Sequence, residues 1–196
     1  MNDTATVAAA VATPADGALA RLAEALRVAS ARRGPAAAEL VQGLGGQVAA
    51  LARDPAVLAG RAGRPAISAR AVLDAIAAAH PASAHRISVD CAPEHRFSLD
   101  ELPAIGMIVC EAIANALRHA FPAGREGHVW IRLAEDGPRW RLTVRDDGQG
   151  IADLPGTPPG GAGLVEALAE TLEGYARLGS APFGGGLVSA IFPRTA

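Results

Sequence analysis

Two segments with a two-residue apolar repeat, separated by a short turn, constrain the fold of this chain more than any other feature. The first is HVWIRLA at 128–134 and the second is RWRLTVR at 139–145. Every second residue in them is apolar: Val129, Ile131, Leu133, Trp140, Leu142 and Val144. This period is typical of strands with one buried face, and the intervening EDGP contains an Asp-Gly pair that favours a hairpin turn. We therefore predict an antiparallel hairpin.

Segments with helical spacing alternate with short strands before and after this hairpin. One helix is predicted over 67–80, one from the capping-box signature SLDE to about His119, and one over 164–172. Short strands are predicted at 85–91, 174–179 and 186–192. Helices interleaved with mostly antiparallel strands predict an α+β fold, a two-layer α/β sandwich with a helical layer on one mixed sheet.

The residues before this sandwich differ in character. Residues 1–14 are rich in alanine and threonine, and we expect a disordered tail there. Residues 15–62 contain two amphipathic helical patterns. Because two such helices cannot bury their apolar faces alone, we expect a dimerisation-type helical hairpin that packs on a partner chain, on the next domain or on both, and a homodimer through residues 16–56. Residues 63–196 then form the sandwich domain.

Composition excludes several kinds of site and partner. The formal net charge of −2 gives no electrostatic case for nucleic acid or an anionic membrane as a partner. All 18 basic residues are arginine, which excludes a Walker-type nucleotide site because its P-loop needs a lysine. The two cysteines, Cys91 and Cys110, fit a reducing compartment. No segment approaches the ~18 apolar residues that span a bilayer, and we expect a cytoplasmic protein.

A mostly apolar helix carries an unexpected row of polar side chains. In EAIANALRHAF, at 111–121, Glu111, Asn115 and His119 recur every four residues and therefore share one helical face. Burying an unpaired carboxylate costs roughly several kcal/mol. The row therefore either meets solvent on a half-exposed helix or belongs to a functional site.

Two glycine-containing segments follow in order. RDDGQGI places Asp146 at the end of the second strand of the hairpin, with Gly148 and Gly150 directly after it. GGAGL, at 160–164, lies at the start of the last helix. Either segment alone is compatible with an ordinary turn or linker. Together with the polar helix, their order and flanking elements form a specific pattern.

This ordered set resembles the GHKL ATPases, the Bergerat-fold group, and within it the catalytic domains of bacterial sensor histidine kinases. EAIANALRHAFPAG looks like the N box, DDGQG the G1 box and GGAGL the G2 box. The NALRHAFP form is most similar to kinases of the HWE and HisKA_2 type. The helical pair of residues 15–62 stands where those kinases carry their dimerisation and phosphoacceptor hairpin.

The resemblance implies ATP and Mg²⁺ as cofactors and gives the polar helix a role at the phosphates. Asn115 matches the residue whose amide oxygen ligates Mg²⁺, a cation that prefers oxygen ligands. Glu111 matches the carboxylate that orients or deprotonates water or an acceptor group. Arg118 and His119 match a basic pair that faces phosphate charge. Glu111, Asn115 and His119 are thus the implied catalytic residues.

The same resemblance assigns the adenine and phosphate contacts. Asp146 matches the carboxylate that accepts a hydrogen bond from the adenine amine, which would select ATP over GTP. Gly148 and Gly150 match positions where the backbone approaches the base. The remaining nucleotide-binding residues are those of the G2 box at the start of the last helix, where backbone amides hold phosphates: Gly161, Gly163 and Leu164.

The hairpin departs from the family pattern. Leu19 and Ala20 stand where the phosphoacceptor histidine would fall, and no histidine precedes His80. The resemblance therefore implies a histidine kinase-type protein that transfers the γ-phosphoryl group in trans, with a response regulator or another signalling protein as partner. The alternatives are a non-catalytic nucleotide-binding scaffold or phosphorelay adaptor that docks a response regulator, and a serine kinase of the anti-sigma type. The remaining histidines are expected on the surface: His80, His85, His95 and His128.

Overall fold

A computed structural model describes residues 66–80, 85–98, 100–122, 125–150 and 162–194 of the chain. The predicted tail of residues 1–14 and the helical hairpin of residues 15–62 lie outside the described residues. Most of the predicted sandwich domain lies within them. The fold described below is that of this domain.

The described residues form seven strands, three α-helices and one π-helix. In chain order they are β1 (Ala66–Ser68), α1 (Ala69–Ala79), β2 (His85–Cys91), β3 (Arg96–Ser98), α2 (Leu102–Asn115), the π-helix (Ala116–Ala120), β4 (Gly127–Asp136), β5 (Arg139–Asp146), α3 (Ala162–Thr171), β6 (Tyr175–Ser180) and β7 (Gly186–Pro193). The predicted α+β class is confirmed. Within the described residues, the predicted helices and strands of the sandwich domain are present, with ends shifted by a few residues. The short strands β1 and β3 are additional and were not predicted.

Five of the strands form one mixed sheet in the order β2-β4-β5-β7-β6. β2 runs parallel to β4, and the other neighbours are antiparallel. β1 and β3 form a separate two-stranded antiparallel pair. In the predicted hairpin, Asp136 pairs with Arg139, so the loop is Gly137–Pro138 rather than the Asp-Gly pair. Gly137 has φ +60°, which glycine tolerates at a tight turn.

The core lies between one face of the sheet and the three α-helices. The alternating apolar residues of β4 and β5 predicted to share a face are all buried. They join one cluster with apolar residues from α1, α2 and α3. α2 contributes most, because its apolar residues surround the helix axis; Ile105, Ile108 and Ile113 have no exposed surface. Burial of each such side chain stabilises the fold by about 1.5–3 kcal/mol.

The helix predicted from the SLDE signature to about His119 differs from the expectation at both ends. Its SLDE signature closes as a turn ahead of the helix: the Ser98 amide donates to Glu101 Oε2 at 2.8 Å, and α2 begins at Leu102. Its last turn is the π-helix Ala116–Ala120. Single π-helical turns within helices are frequent at functional sites.

Two histidines expected on the surface are buried instead. His80 is 5% exposed and His95 is 8% exposed, while His85 and His128 are half-buried. His80 lies directly after α1, and its Nδ1 lies 2.8 Å from the Ile76 carbonyl oxygen, to which it donates. His95 packs at a tilt on Trp140, with ring centroids 4.6 Å apart. Sequence spacing could not reveal the contact of His95, because it joins residues far apart in the chain.

Burial of His80 predicts a pH-dependent stability. Desolvation lowers the pKa of His80 below its usual 6.5, because the folded protein disfavours the charged imidazole. Above about pH 6.5 both folded and unfolded chains hold this residue neutral. Below that pH the unfolded chain takes up the proton first, so the free energy of unfolding falls by up to about 1.4 kcal/mol per pH unit.

Urea unfolding at a series of pH values measures this slope. We expect His80→Gln to flatten it between about pH 7 and 5. The matched change His119→Gln, at an exposed histidine, should leave the slope as in the parent protein. An unchanged slope in His80→Gln would assign the acid sensitivity to other groups.

Candidate functional site

Asp146 is a buried carboxylate held in place by backbone amides. It is the last residue of β5 and is 6% exposed. Its Oδ1 accepts hydrogen bonds from the amides of Gly148 at 2.8 Å and Gly186 at 2.9 Å. Two donors at one oxygen fix the orientation of the carboxylate. The second oxygen, for which the described residues provide no hydrogen bond, can accept one from a ligand.

The glycines around Asp146 allow three chain segments to approach closely. A Cβ on Gly148 would lie 2.4 Å from both Cβ and the carbonyl oxygen of Ala120. A Cβ on Gly185 would lie 1.8 Å from the Asp146 carbonyl oxygen. Gly150 has φ +81°, a conformation that favours glycine. Gly148 thus packs against the end of the π-helix. The sequence predicted only that its backbone approaches a base, and this contact was not predicted.

The polar row on α2 is buried at its first residue and opens toward its last. Glu111 is 4% exposed, Asn115 is half-buried and His119 is exposed. The row is therefore not a solvated helix face at Glu111, which excludes that alternative for this residue. The His119 carbonyl oxygen accepts a hydrogen bond from Gln149 Nε2 at 2.9 Å.

Arg118 connects the polar residues of this row. Its Nη2 donates to Asn115 Oδ1 at 2.9 Å and lies 3.9 Å from Glu111 Oε1. Its Nε donates to the Ala114 carbonyl oxygen at 3.0 Å. One guanidinium thus lies between the amide and the carboxylate, half in solvent, where it can meet a second anion. The position of this guanidinium depends on its hydrogen bond to Asn115, which the four-residue spacing of the polar row does not predict.

Hydrogen bonds tie the segment after Asp146 to the end of the π-helix. The Gln149 amide donates to the Ala120 carbonyl oxygen at 2.9 Å, in addition to the side-chain contact of Gln149. The Asp147 Oδ1 accepts from the His128 amide at 2.8 Å. These bonds place the Asp146 segment and the polar helix in one region of the molecule. The structure thereby brings two of the three predicted motifs together.

The third predicted motif lies at the start of α3. Gly163 is exposed, and a Cβ built on it would meet nothing within 4 Å. Leu164 is half-buried and packs on the core. Gly161 lies outside the described residues. No role was predicted for Gly186, the first residue of β7, whose amide donates to Asp146. The FGGG sequence at 183–186 is the signal that could have indicated it.

The residues present fit an adenine nucleotide and a sparsely liganded Mg²⁺. The Asp146 oxygen that accepts no hydrogen bond from the described residues suits an exocyclic amine, which donates hydrogen bonds. Among the described residues, no three His, Cys, Asp or Glu side chains are grouped to hold a metal ion. Mg²⁺ commonly binds one or two protein oxygens together with phosphates. Asn115 Oδ1 can supply one such oxygen once Arg118 turns from it toward a phosphate.

Neither cysteine offers a reactive thiolate. Burial raises the pKa of Cys91 to about 11 and that of Cys110 to about 12. Both thiols are therefore protonated at neutral pH and pack as small apolar groups.

In the described part of the chain, no helix is long and apolar enough to cross a membrane.

Sequence comparisons identify relatives over the central part of the chain. Residues 66–179 match the family model described as the histidine kinase-like ATPase domain. The anti-sigma F factor of Bacillus subtilis (strain 168) is 39% identical over 57 residues, 29% of this chain and 39% of that protein. The anti-sigma F factor of Halalkalibacterium halodurans is 37% identical over 57 residues, with the same coverage. The chain thus spans about two fifths of the length of these curated relatives.

Solved structures share the fold. The histidine kinase domain of a blue-light activated kinase from Erythrobacter litoralis superposes with TM-score 0.64 and 23% identity, covering 91% of this chain and 93% of that chain. The ATP-binding domain of PrrB from Mycobacterium tuberculosis superposes with TM-score 0.53 and 24% identity, covering 67% of this chain and 97% of that one. The family match covers more than half of the chain. The chain therefore belongs to the histidine kinase-like ATPase domain family, as a GHKL ATPase.

Proposed function

We propose that this protein binds Mg²⁺-ATP and transfers the γ-phosphoryl group to a side chain of a signalling partner. The observation that carries this proposal is the buried Asp146 carboxylate, held by two backbone amides and tied through Gln149 to the polar helix. Such a carboxylate accepts a hydrogen bond from the adenine amine. Guanine presents a carbonyl oxygen at that position, so the site favours ATP over GTP.

The polar helix acts at the phosphate end of the nucleotide. Asn115 contributes an oxygen to Mg²⁺, which, when bound, neutralises charge on the phosphates. Arg118 compensates the remaining phosphate charge, with His119 exposed beside it. Glu111, buried on the same helix, accepts the proton of the attacking hydroxyl or imidazole group. Asn115 and Arg118 thus hold the phosphates in place while Glu111 handles the proton.

Backbone groups provide the other contacts. Gly148 and Gly150 let the chain approach the base closely. The start of α3, with Gly161, Gly163 and Leu164, presents amides to the phosphates, which replaces the lysine that the chain lacks. Phosphoryl transfer depends mainly on positioning and charge neutralisation, so this set suffices without a nucleophile of its own.

The phosphoacceptor belongs to a partner protein. Residues 15–62 carry no histidine, so the hairpin proposed there serves dimerisation, through residues 16–56, and docking of a response regulator or another signalling protein. Membership in the HWE and HisKA_2 kinases is part of the same proposal. Transfer in trans requires only that the partner side chain reaches the γ-phosphate.

A second candidate is a serine kinase of the anti-sigma type. The identity of 39% to an anti-sigma F factor over 57 residues favours it. The amphipathic pattern of residues 15–62 favours the histidine kinase type. The two differ in the acceptor: phosphohistidine is acid-labile, whereas phosphoserine is acid-stable. A third candidate, a nucleotide-binding scaffold, would show neither product.

The adenine assignment is tested with Asp146→Asn. The amide keeps an oxygen for the two backbone donors but turns the second acceptor into a donor that opposes the adenine amine. We expect ATP affinity to fall about tenfold, or about 1.4 kcal/mol, and GTP affinity to rise relative to ATP. Isothermal titration calorimetry with both nucleotides measures this.

The neighbouring change Asp147→Asn is the control. Its Oδ1 accepts one backbone amide, a bond that asparagine preserves, so affinities for both nucleotides should match those of the parent protein. Equal ATP affinity in Asp146→Asn and the parent would refute the assignment of this carboxylate to adenine.

A further inference from the structure

The face of the five-stranded sheet that turns away from the helices is rich in arginine. The side chains on this face belong to every second residue of each strand, and the residues between them point into the core. Strand register places six arginines on this outer face: Arg86, Arg132, Arg139, Arg141, Arg145 and Arg177. We call this surface the outer face. Two carboxylates share it, Asp90 and Asp136.

Both carboxylates are already paired. Asp90 Oδ2 lies 3.2 Å from Arg132 Nε, and Asp136 Oδ2 lies 2.6 Å from Arg141 Nη2. The remaining four arginines have no carboxylate partner among the described residues: Arg86, Arg139, Arg145 and Arg177. The outer face thus has a surplus of four positive charges on a chain whose net charge is −2. The remaining residues of the chain are therefore acidic on balance.

Exposed aromatic side chains lie among these arginines. Trp130 is 37% exposed and Tyr175 is 44% exposed. The Arg145 guanidinium carbon lies 5.5 Å from the Trp130 ring centroid, and that of Arg177 lies 5.9 Å from the Tyr175 ring centroid. Such cation–π contacts hold the arginines over the rings. Tryptophan, tyrosine and arginine are the residues that dominate binding energy at protein interfaces.

The third exposed large apolar side chain adjoins this surface. Phe183 is 90% exposed, and it lies in the turn between β6 and β7. The turn lies at the end of the sheet at which Trp130 pairs with Arg145 and Arg145 pairs with Leu187. Of the three large apolar side chains that are exposed in the described part of the chain, two thus lie on the outer face and the third, Phe183, lies in a turn at one end of the same sheet.

We propose that the outer face docks an acidic segment of a partner protein. Carboxylates of the partner contact the unpaired arginines, and an aromatic or aliphatic side chain packs against Trp130. Charge complementarity favours this occupant, because the outer face is basic on an otherwise acidic chain. A nucleic acid would meet net repulsion from the rest of the molecule. The inference does not depend on nucleotide binding, which uses the opposite side of the sheet.

Fluorescence anisotropy with a labelled random copolymer of glutamate and tyrosine tests this surface at low ionic strength. We expect saturable binding that weakens with added salt, as screening of charge requires. Arg177→Glu and Trp130→Ala should each weaken it by at least about fivefold. Arg70→Glu is the matched control, because it makes the same charge change at an exposed position on α1, and its effect should stay below about twofold.

Competition separates the classes of partner. Unlabelled copolymer should displace the probe, and oligothymidylate of equal charge should displace it less effectively. Tighter competition by oligothymidylate would overturn the proposal in favour of nucleic acid. Equal losses in Arg70→Glu and Arg177→Glu, or no binding at low salt, would overturn it as well. Far-ultraviolet circular dichroism confirms that each variant is folded, so these outcomes report on the surface.

Discussion

Replacement of Glu111 by glutamine is expected to slow hydrolysis of Mg²⁺-ATP, in which water replaces the partner side chain as nucleophile, by about a hundredfold or more, because a general base contributes that much or more to rate. Glutamine has nearly the same shape and keeps one acceptor oxygen, but it cannot take up a proton. ATP affinity should stay within about threefold, since the loss falls on the transition state rather than on nucleotide binding. A change in rate without a change in affinity is thus the signature of the proposed role.

Phosphate release and calorimetric ATP affinity, measured on the same preparations, separate these effects. The control is Glu101→Gln, which alters the other buried glutamate at the opposite end of α2. Its amide oxygen can still accept from the Ser98 amide, so the rate should match that of the parent. A parental rate in Glu111→Gln would remove Glu111 from the chemistry. Equal losses of rate and affinity would instead make it a binding residue.

The elements that could be predicted from the sequence are those with a local signal. The β4–β5 hairpin follows from a two-residue repeat over 128–145, and the buried face it predicted is the one observed. The α2 helix was recognised by composition and spacing within a single segment. Such patterns depend on neighbours a few residues apart, which a sequence displays directly. For the same reason the order of elements, and hence the α+β class, could be predicted.

The contacts that build the site depend on residues far apart in sequence. Gly186 donates to Asp146 across 40 residues, and no periodicity connects the two. The burial of His80 and His95 likewise follows from packing between elements. Arg118 was expected to face phosphate, but its hydrogen bond to Asn115 depends on side-chain conformation. The chemical groups of the candidate site could therefore be predicted from the sequence, whereas their hydrogen bonds depend on tertiary packing.

Through these long-range contacts, the turn between β6 and β7 helps to hold Asp146, although the motifs predicted for the site lie in other segments. The Gly186 amide reaches Asp146 Oδ1 only if the preceding residue lies against the Asp146 backbone. Gly185 occupies that position with φ +83°. A side chain there would meet the β5 backbone, which is less free to move than a side chain. Glycine at 185 is thus required by both conformation and space.

The change Gly185→Ala is therefore expected to destabilise the fold strongly. A non-glycine residue at positive φ costs about 1–2 kcal/mol. The new Cβ would also lie 1.8 Å from the Asp146 carbonyl oxygen, so the turn must move away from β5. Overpacking of this kind adds about 1–3 kcal/mol. The same movement would lengthen the Gly186–Asp146 hydrogen bond, and ATP affinity should fall together with stability.

The adjacent glycine separates the two causes. Gly184 has φ +92°, but a Cβ built on it would meet nothing within 4 Å. Gly184→Ala should therefore cost only the conformational part, about 1–2 kcal/mol, and leave ATP affinity unchanged. Urea unfolding of both variants gives the difference, which we expect to exceed about 1 kcal/mol. Equal destabilisation by the two changes would mean that the turn can move away from β5 at little cost in free energy. Its contact with Asp146 would then contribute little to the site.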